Sequence, residues 1–238
     1  MQRSLGCSHR PPLLPPALLA LLFFVPQLPA QTYRLQSMAG LTPVNVQAGP
    51  ANWRGRPALR LVDNPALPHT QAGGGQAMVI LADSDFEDGA IEADFAAAPR
   101  AGAADSARGF AGVAFRIQPD GAHFECIYLR PTNGRADDQL RRNHSTQYIA
   151  NPDFPWERLR RESPGVYESY TDLEPGAWTA MKIVVSGTHA QLYVNGATQP
   201  CLIVNDLKLG KTRGKVALWV GTDTEAYFSR LSIRKESH

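Results

Sequence analysis

GFAGVAFRIQPDGAHFECIYLR, residues 109–130, reads as two β-strands joined by the turn Gln118-Pro119-Asp120-Gly121. Proline presets φ, aspartate bonds its own backbone, and glycine tolerates positive φ, so each turn residue favours the reversal for a separate reason. In the first strand Val113, Phe115 and Ile117 alternate with Ala114 and Arg116; in the second, Ile127 and Leu129 alternate with Cys126, Tyr128 and Arg130. Period-two alternation sends the two sets to opposite faces of a sheet. One face is apolar and the other carries Arg116, Tyr128 and Arg130. Just upstream, GAIEADF at residues 89–95 repeats the pattern, with Ile91, Ala93 and Phe95 on one side and Glu92 and Asp94 on the other.

Working outward, residues 1–30 stand apart from the fold. Arg3, His9 and Arg10 form a basic start, ALLALLFFV at 17–25 is a short apolar run, and Leu28-Pro29-Ala30 ends small. This is the order of a secretory leader, and the run is too short to span a bilayer. Cleavage is expected after Ala30, with a secreted or periplasmic product and no stable membrane insertion. Arg3 and Arg10 also account for the whole charge excess: of 24 basic residues against 22 acidic, 22 of each remain. No net field draws the chain to nucleic acid. Cys126 and Cys201 are the cysteines left; both lie in strand-like runs, where a disulfide and buried thiols are each compatible with export.

The remaining 208 or so residues suit one large all-β domain. Residues 31–57 read as a connecting segment with short strands, and 58–238 as the sandwich itself. ALRLVD (58–63), AMVILA (77–82), WTAMKIVVS (178–186), AQLYV (190–194), KVALWV (215–220) and AYFSRLSI (226–233) are strands, separated by signals such as Gly187-Thr188-His189 and Asn195-Gly196. Residues 64–75 and the Ala/Gly/Pro-rich 96–108 read as loops. The longest irregular stretch is 131–165. It holds Asn133, Arg141, Arg142, Gln147, Tyr148, Trp156, Arg158, Arg160 and Arg161, and an ordered loop of such length in a compact domain is usually functional.

FEDGAIEADF (86–95), GVAFR (112–116), FECIYLRP (124–131) and WTAMKIVVSGTHAQLYVNG (178–196), closed by GKVALWV and AYFSRLSI, together resemble the concanavalin A-like lectin/glucanase superfamily. Within it the likeness is nearest to bacterial exported 3-keto-disaccharide hydrolase proteins. The resemblance implies an antiparallel jelly-roll β-sandwich, a carbohydrate partner on its concave face, and no cofactor. It also marks a departure. Family 16 glucanases of that superfamily carry three alternating acids on one strand; Glu92 and Asp94 match the first two, but Ala96 follows. A glycosidase needs two carboxyl groups across the scissile bond, so the acid would have to come from elsewhere, such as Glu125, Glu157 or Glu168.

Two readings of the polar face stand side by side. In one, Glu92 and Asp94, about 6.5–7 Å apart on one side of a strand, are a catalytic pair, with Arg116, Tyr128, Arg130, Asn133, Gln147, Tyr148 and Trp156 binding substrate beside them. Arginine forks suit carboxylates or adjacent oxygens, aromatic rings suit sugar faces, and amides suit hydroxyls. In the other, the arginines only neutralise the acids across neighbouring strands, and the rings are core. His123 and His144 lack the partners of a metal site, and no metal is expected. The functional expectation is an exported carbohydrate-active protein, a hydrolase of oxidised or acidic sugars; a non-catalytic lectin-like or adhesion module is the alternative. Either way, 131–165 should fold over the face that holds Glu92, Asp94, Arg116 and Arg130.

Overall fold

The computed structural model describes residues 29–64 and 77–236. Residues 1–28 of the leader expected over 1–30 and most of the loop expected over 64–75 lie outside them. The described chain forms two antiparallel sheets. The first runs in the order β13 (Leu202–Val204), β12 (His189–Val194), β11 (Thr179–Ser186), β6 (Gly89–Pro99), β15 (Thr224–Lys235), β4 (Arg56–Asp63), β3 (Val46–Trp53), with β1 (Gln31–Arg34) also paired to β15. The second runs β10 (Glu168–Ser169), β9 (Thr146–Asn151), β8 (Phe124–Leu129), β7 (Ala111–Ile117), β14 (Lys215–Val220), β5 (Met78–Leu81), β2 (Leu41–Val44). This is the all-β, jelly-roll type of sandwich that the alternation and the resemblance implied.

The turns form for the reasons the residues suggested. Gly121 takes φ +68° and donates to the Gln118 carbonyl at 2.9 Å, while Asp120 Oδ1 accepts from the amides of Ala122 and His123. Asn195 and Gly196 both take positive φ, at 51° and 74°, as a two-residue primed turn requires. Between the sheets, inward residues such as Ile91, Phe95, Ile183, Leu192, Phe228 and Leu231 meet Val113, Phe115, Ile127 and Leu218, all essentially without exposure. Phe95 and Phe228 alone, with centroids 5.2 Å apart, each contribute roughly 1.5–3 kcal/mol of burial.

Three expectations need correction. Residues 31–57 are no connector: they supply β1, β2 and β3, paired to β15, β5 and β4. The alanine stretch after Asp94 is not loop, because β6 continues to Pro99, with Ala96 and Ala97 buried against β15. Most importantly, 131–165 is not one covering loop. It contains a 3-10 turn (Pro131–Asn133), a short helix α1 (Gln139–Arg142), the buried strand β9, and a second helix α2 (Trp156–Glu162). Cys126 and Cys201 are both free thiols. No helix among the described residues is long and apolar enough to cross a membrane.

Candidate functional site

Register decides where the candidate residues go. On the second sheet Trp219, Gly112, Tyr128, Gln147 and Glu168 stand opposite one another in a single row across β14, β7, β8, β9 and β10. Opposed residues share a face, so this row looks away from the other sheet. Gly112 leaves the gap into which Tyr128 and Trp219 stack, their centroids 4.8 Å apart; a Cβ there would lie 2.7 Å from that of Tyr128.

Arg130 follows two residues after Tyr128, on the same face at the end of β8. Its Nη2 donates to Tyr128 Oη at 3.2 Å and Gln147 Oε1 at 3.0 Å, and its Nη1 donates to the His144 carbonyl at 3.1 Å. The guanidinium lies 5.3–5.9 Å from the ring centres of Tyr128, Phe110 and Trp156. Glu168 sits beneath it, its side chain 2 % exposed and clasped by Arg160 through two bonds of 2.8 and 2.6 Å. Arg130 Nη1 and His144 Nε2 also lie 3.5 Å from that carboxylate. A buried carboxylate needs such partners, and one carboxylate here serves three bases.

The connection from β8 to β9 completes the site. Asn133 Nδ2 donates to the His144 carbonyl at 3.0 Å, and Asn133 Oδ1 accepts from Arg141 Nε at 3.0 Å. Asp138 caps α1 by accepting from the Arg141 amide at 2.9 Å. From the other side, the loop before β7 brings in Arg108 and Phe110. Together Arg108, Phe110, Arg130, Asn133, Asp138, Arg141, His144, Trp156, Arg160 and Asp223 line a cleft of about 660 Å³. Burial pushes the His144 pKa below its usual 6.5, helped by Arg160 and Arg130 and opposed by Glu168 and Asp138. At neutral pH that ring is an uncharged base.

Residues 38–234 match the family of 3-keto-alpha-glucoside-1,2-lyase-like domains. The chain belongs to that family. Solved structures similar to this family member share its fold at low identity. A carbohydrate-binding module of family 66 from Bacillus subtilis aligns with TM-score 0.53 and 13% identity over 80% of this chain and 92% of its own. A B. subtilis protein with a galectin-like fold aligns at 0.54 and 13% over 88% and 97%. The exoplasmic/lumenal domain of VIP36, solved with Ca2+ and Man3GlcNAc, aligns at 0.51 and 10% over 87% and 89%. Among curated proteins, none matches the chain.

Within this lyase-like domain the expected site is split. Arg130, Asn133 and Trp156 line the cleft, while Tyr128 and Gln147 support Arg130 from beneath, both fully buried. Arg116 is elsewhere. The hairpin register runs from Ala111 opposite Leu129, next to Arg130, to Phe115 opposite Glu125, next to Arg116, so the two arginines stand at opposite ends. Arg116 is fully buried, bonded to Asp88 Oδ1 at 2.9 Å and to the carbonyls of Glu87, Gly187 and Gly210. Tyr148 points to the core face, donating to Glu125 Oε2 at 2.5 Å and accepting from the Lys208 amide at 2.7 Å.

Glu92 and Asp94 are on the first sheet, so the expectation that they share a face with Arg116 and Arg130 is not met. They lie on its outer face beside a separate hollow of about 560 Å³ with Lys182, Tyr193 and Arg230. Asp94 Oδ2 is 2.7 Å from Arg56 and 3.3 Å from Arg230, whose guanidinium is 4.0 Å from Glu92. The acids do meet arginines across strands, but other arginines than those expected. Of the alternative acids, Glu168 meets the cleft residues Arg130, His144 and Arg160, whereas Glu125 is buried on the core face with Tyr148, at the Arg116 end of the hairpin.

Arg108, Arg141, His144 and Arg160 were missed as site residues. The signal that finds them is the strand β9: the β8–β9 register puts Arg130 against Ser145, with a bond of 2.8 Å from its amide to the Ser145 carbonyl. That pairing folds residues 141–144 onto 130–133. Among the described residues, no group of three or more His, Cys, Asp or Glu side chains is placed to hold a metal ion.

Proposed function

We propose that the chain binds a carbohydrate in the Arg130 cleft, and that the sugar is an oxidised one, a 3-keto glycoside cleaved there by elimination. The observation that carries this reading is the convergence of arginine side chains with a half-buried indole and an uncharged imidazole around one cleft. The indole offers an apolar platform for a sugar ring. A ketone at C3 acidifies the proton on C2, so the reaction needs a base for that proton and a positive group for the oxyanion that forms at O3. His144 supplies the base. The Arg130 guanidinium, fixed by hydrogen bonds to Tyr128 Oη, Gln147 Oε1 and the His144 carbonyl and by the Glu168 carboxylate, supplies a preorganised positive charge. The electron pair released at C2 then forms the C1–C2 double bond as the C1–O bond breaks, and the departing oxygen takes a proton from solvent. The family description, a 3-keto-alpha-glucoside-1,2-lyase-like domain, supports the same substrate and bond.

Calorimetric titration and product analysis with a 3-keto glycoside test it. Trp156→Ala should weaken binding by roughly tenfold, the scale of one aromatic stack. His144→Gln should bind the substrate yet lose turnover. Binding by the unaltered protein without any turnover would leave the lectin-like alternative in its place. We further propose that it acts outside the cytoplasm, on the leader pattern of residues 1–30; an intact leader on soluble protein would refute this.

A further inference from the structure

Elimination from a neutral keto sugar uses one guanidinium at the oxyanion, yet the cleft holds more positive charge than that step needs. Arg160 and Arg130 are both engaged by Glu168. Arg108 and Arg141 are not engaged by any carboxylate among the described residues. Arg108 Nη1 donates only to the carbonyls of Asp105 and Ala107, at 2.8 and 2.9 Å. Arg141 donates to Asn133 Oδ1 and to the carbonyl and hydroxyl of Thr132, at 3.0–3.3 Å. Of the acids that line the cleft, Asp223 pairs with Arg100 at 2.6 Å and Asp138 caps α1 through the Arg141 backbone amide at 2.9 Å, so neither bonds the Arg108 or Arg141 guanidinium.

Nor are the two arginines held apart. Thr132 links them, its amide and hydroxyl reaching the Arg108 carbonyl at 3.4 and 3.5 Å while its own oxygens accept from Arg141. Both side chains are half-buried and line one cleft. Burial lowers the Arg108 pKa, and the neighbouring charges of Arg141 and Arg130 lower it further. Like charges brought together under partial burial cost free energy unless an anion offsets them, and planar guanidinium forks match a planar or tetrahedral oxyanion.

We infer that Arg108 and Arg141 form an oxyanion subsite in the cleft, which takes a carboxylate or sulfate ester carried by the bound glycan. The inference rests on the reading that a sugar occupies the cleft. It narrows the ligand to acidic glycans, the charged group lying beside the residue that packs on Trp156.

Calorimetry at low salt with methyl glucoside, methyl glucuronide and methyl glucoside 6-sulfate tests it, alongside a thermal-shift titration with inorganic sulfate. At least one acidic probe should bind tenfold or more tighter than the neutral one, and that preference should shrink as salt is raised. The two acidic probes show whether carboxylate or sulfate is favoured. Arg108→Gln and Arg141→Gln should each cut the acidic preference severalfold, while Arg108→Lys should restore part of it; far-ultraviolet circular dichroism confirms that each variant is folded. Equal binding of acidic and neutral probes overturns the subsite and leaves the glycan reading standing. If neither these probes nor the 3-keto glycoside binds, but sulfate raises the Tm of the unaltered protein and not of the Arg108→Gln/Arg141→Gln double variant, the subsite stands and the glycan reading falls. Sulfate stabilisation that survives in the double variant, with no acidic preference, overturns the subsite.

Discussion

Gly112 lies directly between Trp219 and Tyr128 in one row of the second sheet, and the two rings close over it to stack at 4.8 Å. A methyl group there would meet the Ile127 carbonyl oxygen at 2.2 Å and Tyr128 Cβ at 2.7 Å, both on a paired strand that cannot withdraw. Overpacking of this kind costs about 1–3 kcal/mol. Gly112→Ala should therefore lower stability by at least that amount and alter the near-ultraviolet circular dichroism of the Tyr128–Trp219 pair. Because Tyr128 Oη supports Arg130, the cleft should lose affinity as well. Unchanged stability would mean that the strands separate more easily than their pairing implies.

At the far end of the same hairpin, Arg116 and Asp88 form an ion pair with both side chains at most 1 % exposed. Removing one partner of such a pair costs about 3–5 kcal/mol. For a domain of this size each kcal/mol lowers Tm by about 2–4 °C. Arg116→Ala should thus lower Tm by roughly 6–20 °C, without a direct effect on the cleft. A loss of ligand affinity in a variant that keeps its Tm would restore Arg116 to the binding site.

These two positions mark what alternation could and could not say. The turn at Pro119–Gly121 and the hairpins around Gly187 and Asn195-Gly196 follow from local chemistry, so they were legible. The faces of β7 and β8 were mostly legible too. Period two, however, assigns a face and not a sheet: β6 and β7 are consecutive in sequence, yet β6 lies between β11 and β15 while β7 lies between β14 and β8. Arg116 escaped for a further reason. The pairing of β7 with β14 slips between Lys215 and Ala217, so Phe115 and Arg116 together oppose Val216, and Arg116 takes φ +54°. A bulge of this kind re-aims a side chain. The cleft was half legible: Arg130 and Trp156 stood out by type, whereas Arg108, Arg141 and His144 come together only once polar Thr146 and Gln147 are recognised as part of a buried strand.

Tyr148 belongs to that strand but serves the scaffold. Its hydroxyl donates to Glu125 and accepts from the Lys208 amide, and Glu125 also accepts from the Leu209 amide at 2.9 Å, so the pair fastens the segment before β14. Burial raises the pKa of both side chains. Tyr148→Phe strands the Lys208 amide and one Glu125 oxygen, at a cost of about 1–3 kcal/mol. Chemical denaturation should show that loss while ligand affinity stays as it was. An affinity loss with stability intact would put Tyr148 in the site.

Glu92 and Asp94 offer the reverse contrast. Their ion pairs with Arg56 and Arg230 lie at the surface, where such pairs contribute about 0–1 kcal/mol. Glu92→Gln and Asp94→Asn should each shift stability by no more than that. Since they stand on the other sheet from Arg130, cleavage of a 3-keto glycoside should continue in both variants. Loss of turnover in either, with binding retained, would move the chemistry to the first sheet.

His144 gives the site a pH signature whose sign is set by its surroundings. Burial disfavours the imidazolium, so the folded pKa lies below the ordinary 6.5 of the unfolded chain. Between those two values the unfolded state binds the extra proton, and stability rises with pH. The contribution of neutral His144 is therefore complete above about pH 6.5 and is lost as the pH falls through the folded pKa. Comparing Tm against pH for the unaltered protein and His144→Gln isolates it: the unaltered protein should lose more stability on acidification from 6.5, and the two curves should run parallel above it. Turnover should follow the same group, holding its neutral-pH rate to below pH 6.5 and then declining as the base is protonated. A rate that is already falling at pH 7, or a ring titration by nuclear magnetic resonance centred above 6.5, would show that His144 is held as imidazolium by Glu168, and the proton acceptor would have to be another group.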